Sequence, residues 1–284
     1  SIVDIGDLDG DGVNDLAVGA GKDDEGGSAR GAVHIMFMNT DGSVDSTVEI
    51  NDSTTNGPTL TNTDQFGFAV ENIGDLNSDG VNDLAVGAYL DDEGGGARGA
   101  VHIMFMNTDG SVDSTVEINS STTNGPTLSN SDFFGRSIAN IGDLNSDGVN
   151  DLAVGAYGDD DSGGARGAVH IMFMNTDGSV DSTVEINDST TNGPELTNAD
   201  WFGYSIANIG DLDGDGVNDL AVGAHQDDDG GTDRGAVHIM FMNTDGSVDS
   251  TVEINDSTTN GPELEDDDSF GRSVANIGDL DGDG

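Results

Sequence analysis

The stretch Ile5-Gly-Asp-Leu-Asp-Gly-Asp-Gly-Val-Asn-Asp-Leu-Ala-Val-Gly-Ala20 returns unchanged from Ile209, and with two substitutions from Ile73 and from Ile141. A truncated copy starts at Ile277. The leading aspartate falls at Asp7, Asp75, Asp143, Asp211 and Asp279, a constant period of 68 residues. The 284 residues are therefore four full units and the first twelve residues of a fifth. A second block, Arg30 to Asn51, is identical from Arg98, Arg166 and Arg234. Self-similarity at a fixed period marks a repeat architecture, in which one unit cannot bury its own apolar faces and depends on its neighbours.

Period-2 patterning inside a unit predicts four short strands and no helix. In the fourth copy the first strand runs from Phe202 to Ile209 and ends at the acidic loop Asp211 to Asp219. The second covers Leu220 to Ala224, and the third Ala236 to Met242, with Val237, Ile239 and Phe241 facing opposite to His238 and Met240. Asn243-Thr244-Asp245-Gly246 is a hairpin signal, and Thr251 to Asn255 is the fourth strand. The first two strands are small and apolar on most of both faces, the fourth on one face only. That gradient describes a sheet packed between neighbours at its inner strands and solvated at its outer edge.

Four antiparallel strands repeated at this period point to a propeller blade rather than a sandwich. The predicted fold is all-β: tandem four-stranded antiparallel blades of a β-propeller type, four full repeats and a partial fifth. Blades are assigned to residues 1–65 (first strand incomplete), 66–133, 134–201 and 202–269, and residues 270–284 supply the start of the fifth.

Each unit carries Asp-x-[Asp/Asn]-x-Asp-Gly-x-x-Asp, with a main-chain carbonyl available at the seventh position. The candidate ligands are Asp7, Asp9, Asp11, Val13 and Asp15; Asp75, Asn77, Asp79, Val81 and Asp83; Asp143, Asn145, Asp147, Val149 and Asp151; and Asp211, Asp213, Asp215, Val217 and Asp219. The partial copy retains Asp279, Asp281 and Asp283. Alternate positions of a tight loop aim hard oxygen donors at one centre, and glycine at the sixth position permits the turn. That donor set suits Ca2+, about one per repeat, better than the geometrically stricter magnesium. Helix does not follow the loop, which argues against a helix-flanked calcium hand.

These residues resemble the FG-GAP repeats of the integrin α-chain propeller and its bacterial and archaeal relatives. The FG element stands at Phe66-Gly67, Phe134-Gly135, Phe202-Gly203 and Phe270-Gly271, followed by the acidic loop, Val-Gly-Ala, and Gly-Ala-Val-His-Ile. The sequence departs from the family in placing Gly21, Tyr89, Tyr157 or His225 where proline follows Gly-Ala, and in supplying four blades where seven are usual. The resemblance implies calcium on one face, adhesion or ligand binding on the other, and no catalysis.

Composition agrees with a binding or structural role. Acidic residues number 56 against 7 basic ones, for a formal charge of −49. Such a charge repels phosphate backbones and anionic lipid, so neither nucleic acid nor membrane insertion is expected. Four divalent ions would bring −49 only to about −41; the remainder reads as solvation of an exported protein in saline surroundings. Cysteine is absent, which removes disulfides and cysteine nucleophiles. Nearly every polar group recurs in all four copies, and the unique Trp201 and His225 form no recognisable constellation, so no asymmetric catalytic pair stands out.

Differences between copies gather in the loop joining strands 2 and 3 and in the residues before each FG. In an up-and-down blade both emerge on the face away from the acidic loops. Tyr89, Tyr157, Trp201 and His225 are the exposed contact candidates there, although drift under weak constraint would give the same pattern. The series His34, His102, His170 and His238 reads as packing, and Arg30, Arg98, Arg166 and Arg234 as ion-pair partners. Asp227-Asp228-Asp229 and its equivalents read as a solvated loop ahead of a second cation site. Asn51, Asn119, Asn187 and Asn255 fit the glycosylation acceptor pattern.

The predicted function is a non-enzymatic calcium-binding extracellular repeat protein, serving adhesion or as a structural surface or filament component. A discrete lectin-like or protein-ligand-binding β-propeller is the alternative. Expected partners are further repeats or copies of the chain and a protein or glycan on the face opposite calcium. The expected location is the exterior or surface of a prokaryotic cell in a marine or saline setting. Because neither end is capped, the sequence reads as a piece of a longer array or a subunit completed by its neighbour.

Overall fold

A computed structural model describes residues 1–161 and 163–278. Among the described residues sixteen strands form four separate sheets, one per full repeat. The first sheet holds β1 (Ile2–Gly6), β2 (Asp15–Ala20), β3 (Ala32–Met38) and β4 (Val44–Ile50). The second holds β5 (Ala69–Gly74), β6 (Asp83–Ala88), β7 (Ala100–Met106) and β8 (Val112–Ile118). The third holds β9 (Phe134–Gly142), β10 (Asp151–Ala156), β11 (Ala168–Met174) and β12 (Val180–Ile186). The fourth holds β13 (Phe202–Gly210), β14 (Asp219–Ala224), β15 (Ala236–Met242) and β16 (Val248–Ile254). Strands pair antiparallel in chain order within every sheet, the meander of a propeller blade. Among the described residues no helix is long and apolar enough to cross a membrane.

The third strand matches its sequence reading residue for residue, because its alternation is unambiguous. The fourth begins three residues earlier than expected, at Val248 rather than Thr251. Asp249 and Ser250 carry no apolar signal, yet Ser250 pairs with Phe241 in the ladder. At a solvated outer edge the backbone bonds, not side-chain burial, decide where a strand starts.

The cores lie between the sheets. Val169, Ile171 and Phe173 of β11 pack with Leu220, Val222, Met240 and Met242 of the fourth sheet. Met172 and Met174, on the opposite face of β11, pack with Val101, Ile103 and Phe105 of the second. All seven residues of β7 and of β11 are buried. Each such apolar side chain contributes about 1.5–3 kcal/mol by leaving water, and it does so only when the adjacent sheet is present.

The FG pair locks these sheets together. Phe134 is fully buried, donates its N–H to the Arg98 carbonyl at 2.9 Å and forms a parallel bridge with Gly99 of the preceding repeat. Gly135 follows at φ +84, and a Cβ on Gly87 would lie 2.0 Å from its carbonyl oxygen. The glycine of Val-Gly-Ala is thus demanded by the next repeat's FG carbonyl. Polar rungs add to the lock: Asn140 Nδ2 donates to the Asn72 carbonyl at 3.1 Å, and Asn150 Nδ2 to that of Ile73 at 3.0 Å. Thr183 Oγ1 likewise donates to the Asn124 carbonyl at 2.9 Å.

Candidate cation sites and the opposite face

The acidic loops join the first and second strands of each sheet, and their side chains wind the backbone. In the second loop, Asp75 accepts the Asp79 and Gly80 N–H groups at 2.9 and 2.8 Å, and Asp79 accepts that of Val81 at 2.9 Å. Gly80 makes the turn at φ +92. The ninth-position aspartate is buried and ties the loop to the blade. Asp83 Oδ2 accepts the Leu76 N–H and Oδ1 the Met106 N–H, both at 3.0 Å. Burial pushes Asp83 and Asp151 up to about 6, against the downward pull of those N–H donors. The side chains of Val81, Val149 and Val217 pack on the inter-sheet cores and anchor the seventh position.

Oxygens of Asp7, Asp9 and Asp15 lie within 4.8 Å of one another, as do those of Asp211, Asp213 and Asp219. Asp11 and Asp215 stand outside these groups, each accepting a loop N–H, from Val13 and Val217 respectively, at 2.8 Å. Asp9 is raised by desolvation and by its neighbours Asp11, Asp15 and Asp7. In the second and third loops the third position is Asn77 or Asn145, which donates Nδ2 to Asp79 or Asp147 at 3.0 and 2.8 Å. The carboxylate triplet is therefore absent there, although an amide oxygen remains a hard donor. These donor sets fit a hard divalent cation. Asp279, Asp281 and Asp283 lie outside the described residues.

On the opposite face the four singled-out residues are not separately exposed. His225 is only 4% exposed, and the other three are half-buried in one aromatic band. Phe133 stacks on Tyr157 at 4.9 Å, Tyr157 meets Trp201 at 5.3 Å, and His225 touches Tyr204 at 4.0 Å. The Arg136 guanidinium lies over the rings of Phe68 at 4.3 Å and Tyr204 at 3.8 Å. Burial drives Tyr157 up to about 12, and burial with Arg272 and Arg136 nearby lowers His225 to about 4. Phe68, Phe133, Arg136 and Tyr204 escaped the sequence reading. The signal was there: they occupy the columns flanking each FG, where the copies differ. An open depression beside the band is lined by Glu71, Arg136, Tyr204 and Arg272. Burial pushes Glu71 up to about 7 despite the Asn140 N–H it accepts.

The remaining repeats of chemistry are structural. His102, His170 and His238 meet the FG rings of Phe66, Phe134 and Phe202 edge-on at 5.4–5.5 Å. Arg30, Arg166 and Arg234 pair with Asp52, Asp188 and Asp256. Arg98 reaches Ser120 instead, at 3.3 Å. The asparagines of the acceptor pattern are buried, with the side chains of Asn51 and Asn119 bonded to Glu49 and Glu117, so the amide nitrogen that would carry a glycan is engaged.

Four-stranded meander blades, interlocked by Phe-Gly pairs and each bearing one acidic loop, define a repeat protein of the β-propeller type. The chain belongs to the FG-GAP repeat family: residues 1–36, 66–104, 134–172 and 202–240, more than half of it, match the FG-GAP repeat. It is 38% identical to integrin alpha-6 of Gallus gallus over 164 residues, and 35% identical to integrin alpha-PS5 of Drosophila melanogaster over 160. It is 37% identical to integrin alpha-3 of Cricetulus griseus over 163 residues. These matches cover 56–57% of this chain but only 14–15% of those relatives.

Proposed function

We propose that the chain is a calcium-stiffened extracellular module whose blades present a ligand-binding face opposite the acidic loops. The observation that carries this reading is the convergence of Asp7, Asp9 and Asp15, and of Asp211, Asp213 and Asp219, in loops whose sequence recurs in every repeat. Bound calcium supplies the positive charge that lets these carboxylates stay ionised side by side. Asp75, Asn77, Asp79 and Asp83, with Asp143, Asn145, Asp147 and Asp151, would hold the ion in the middle loops, assisted by the Val81 and Val149 carbonyls. Asp11 and Asp215, with the Val13 and Val217 carbonyls, complete the outer two.

The role is adhesion or surface architecture, with further repeats, other copies of the chain, or a protein or glycan as partner. A chain of formal charge −49 suits a saline exterior, where salt screens its self-repulsion. A discrete ligand-binding propeller is the second reading, favoured by the aromatic band with Arg136 laid across it, since planar rings recognise sugars and side chains alike. Melting in calcium and in chelator tests the metal: a transition many degrees lower in chelator supports it, and an unchanged transition rejects it.

A further inference from the structure

We propose that a second class of calcium site lies at the junction of consecutive repeats, on the face away from the acidic loops. Asp159, Asp161 and Glu185 of the third sheet build it, together with Asp132 of the preceding repeat. Oxygens of Asp159, Asp161 and Glu185 lie within 4.8 Å of one another. Two donors on opposite sides of a calcium ion, at about 2.4 Å each, are separated by about that span. Asp132 borders this group: its main-chain carbonyl accepts the Gly158 N–H at 3.1 Å, and its charge, after burial, helps to raise Asp159.

The independent observation is a pair of orphaned oxygens. Asp159 and Asp132 are each only 1% exposed, and Asp159 Oδ2 and Asp132 Oδ1 have no hydrogen-bond partner among the described residues. Their other oxygens are occupied, Asp159 Oδ1 by the Asp161 N–H at 3.1 Å and Asp132 Oδ2 by the Ser129 N–H at 2.6 Å. A buried carboxylate oxygen facing other carboxylates is strongly unfavourable unless a cation or proton meets it. No ion pair among the described residues meets it: those present join Arg30, Arg166 and Arg234 to Asp52, Asp188, Asp256 and Asp266. Burial first, then the neighbouring acids, push Asp159 up to about 7 and Asp132 to about 6.

The carboxylate group recurs, though without the orphaned oxygens: Asp227, Asp229 and Glu253 form it one repeat on, beside Asp200, whose carbonyl accepts the Gln226 N–H at 3.3 Å and whose two carboxylate oxygens accept from Thr197 at 2.5 and 2.8 Å. Asp23, Glu25 and Glu49 form it in the first sheet. The ligands come from three chain segments and two repeats, so the ion would clamp one blade to the next, whereas each acidic loop binds within its own blade.

Equilibrium dialysis against calcium counts the ions on the purified chain. The variant Asp159→Asn/Glu185→Gln is expected to bind one ion fewer than wild type, and Asp227→Asn/Glu253→Gln likewise. The variant Asp143→Asn/Asp147→Asn reports separately on an acidic loop, so the two classes fail independently. An unchanged count in either junction variant overturns the proposal. Melting supplies a second readout: in chelator the junction variants should melt no lower than wild type, since they remove like charges, and should gain less from calcium. An equal gain from calcium would also overturn it.

Discussion

The two faces of this molecule are built from the same repeats by opposite means. On the acidic-loop face, each loop is wound by its own side chains: Asp143 and Asp147 accept N–H groups from residues two to five positions away. On the other face, cohesion crosses from repeat to repeat, through the FG lock, the aromatic band and Arg136. A loop wound mostly by its own side chains, with one asparagine rung to the preceding repeat, can be copied without change, and the copies are nearly identical. A surface whose contacts lie in the neighbouring repeat can differ from one junction to the next, and it does.

The largest expected effect is at the FG lock. Phe134→Ala removes a fully buried ring from the core between the second and third sheets, and should cost about 3–5 kcal/mol in chemical denaturation, equally with and without calcium. Asp151→Ala comes next. It strands the buried Leu144 and Met174 N–H groups, now held at 3.0 Å each, for about 2–5 kcal/mol, and it should also blunt the stabilisation by calcium.

A pair of glycines sharpens the contrast. A Cβ on Gly155 would sit 1.9 Å from the Gly203 carbonyl oxygen, whereas one on Gly148 meets nothing within 4 Å. Gly155→Ala should therefore destabilise by about 3 kcal/mol or more through overpacking. Gly148→Ala should lose only about 1–2 kcal/mol for its positive φ. Equal losses would mean that the junction is no tighter than the loop.

Acid should bring the calcium-bound and calcium-free forms together. Burial lowers His102, His170 and His238 from 6.5 to about 4. The unfolded chain then binds protons that the native one refuses, so stability from this source falls as pH drops from 6.5 towards 4. Glu71, Asp91, Asp159 and Asp227 run the other way, raised to about 7 by burial. Without calcium the native state takes up those protons first, and stability rises as pH falls below 7. Calcium at the proposed junction sites would keep Asp159 and Asp227 ionised and forfeit their share of that gain. The difference in Tm between calcium and chelator should accordingly shrink between about pH 7.5 and pH 5.5. The smallest effect is expected from Arg136→Ala, about 0.5–2 kcal/mol for the lost stacking on Phe68 and Tyr204.

The architecture was legible because each repeat restates it: the third strand, the FG pairs and the turn at Asn243 to Gly246 depend on residues close in sequence. What stayed hidden depends on neighbours far along the chain, such as the Asn140 rung to Asn72 or the carbonyl that demands Gly155. His225 looked like a surface residue because its cover, Trp201 and Tyr204, comes from the segment that leads into and begins the first strand. Nothing in the sequence links Asp132 to Asp159; only the fold brings the Asp132 carbonyl to the Gly158 N–H.

Anomalous diffraction from crystals grown in calcium tests the metal reading most directly. Peaks should stand inside the loops from Asp75 to Asp83 and from Asp143 to Asp151, with ligand oxygens about 2.3–2.6 Å away. Empty loops at saturating calcium, with Asp75 and Asp143 still bonded only to their own backbone, would contradict it.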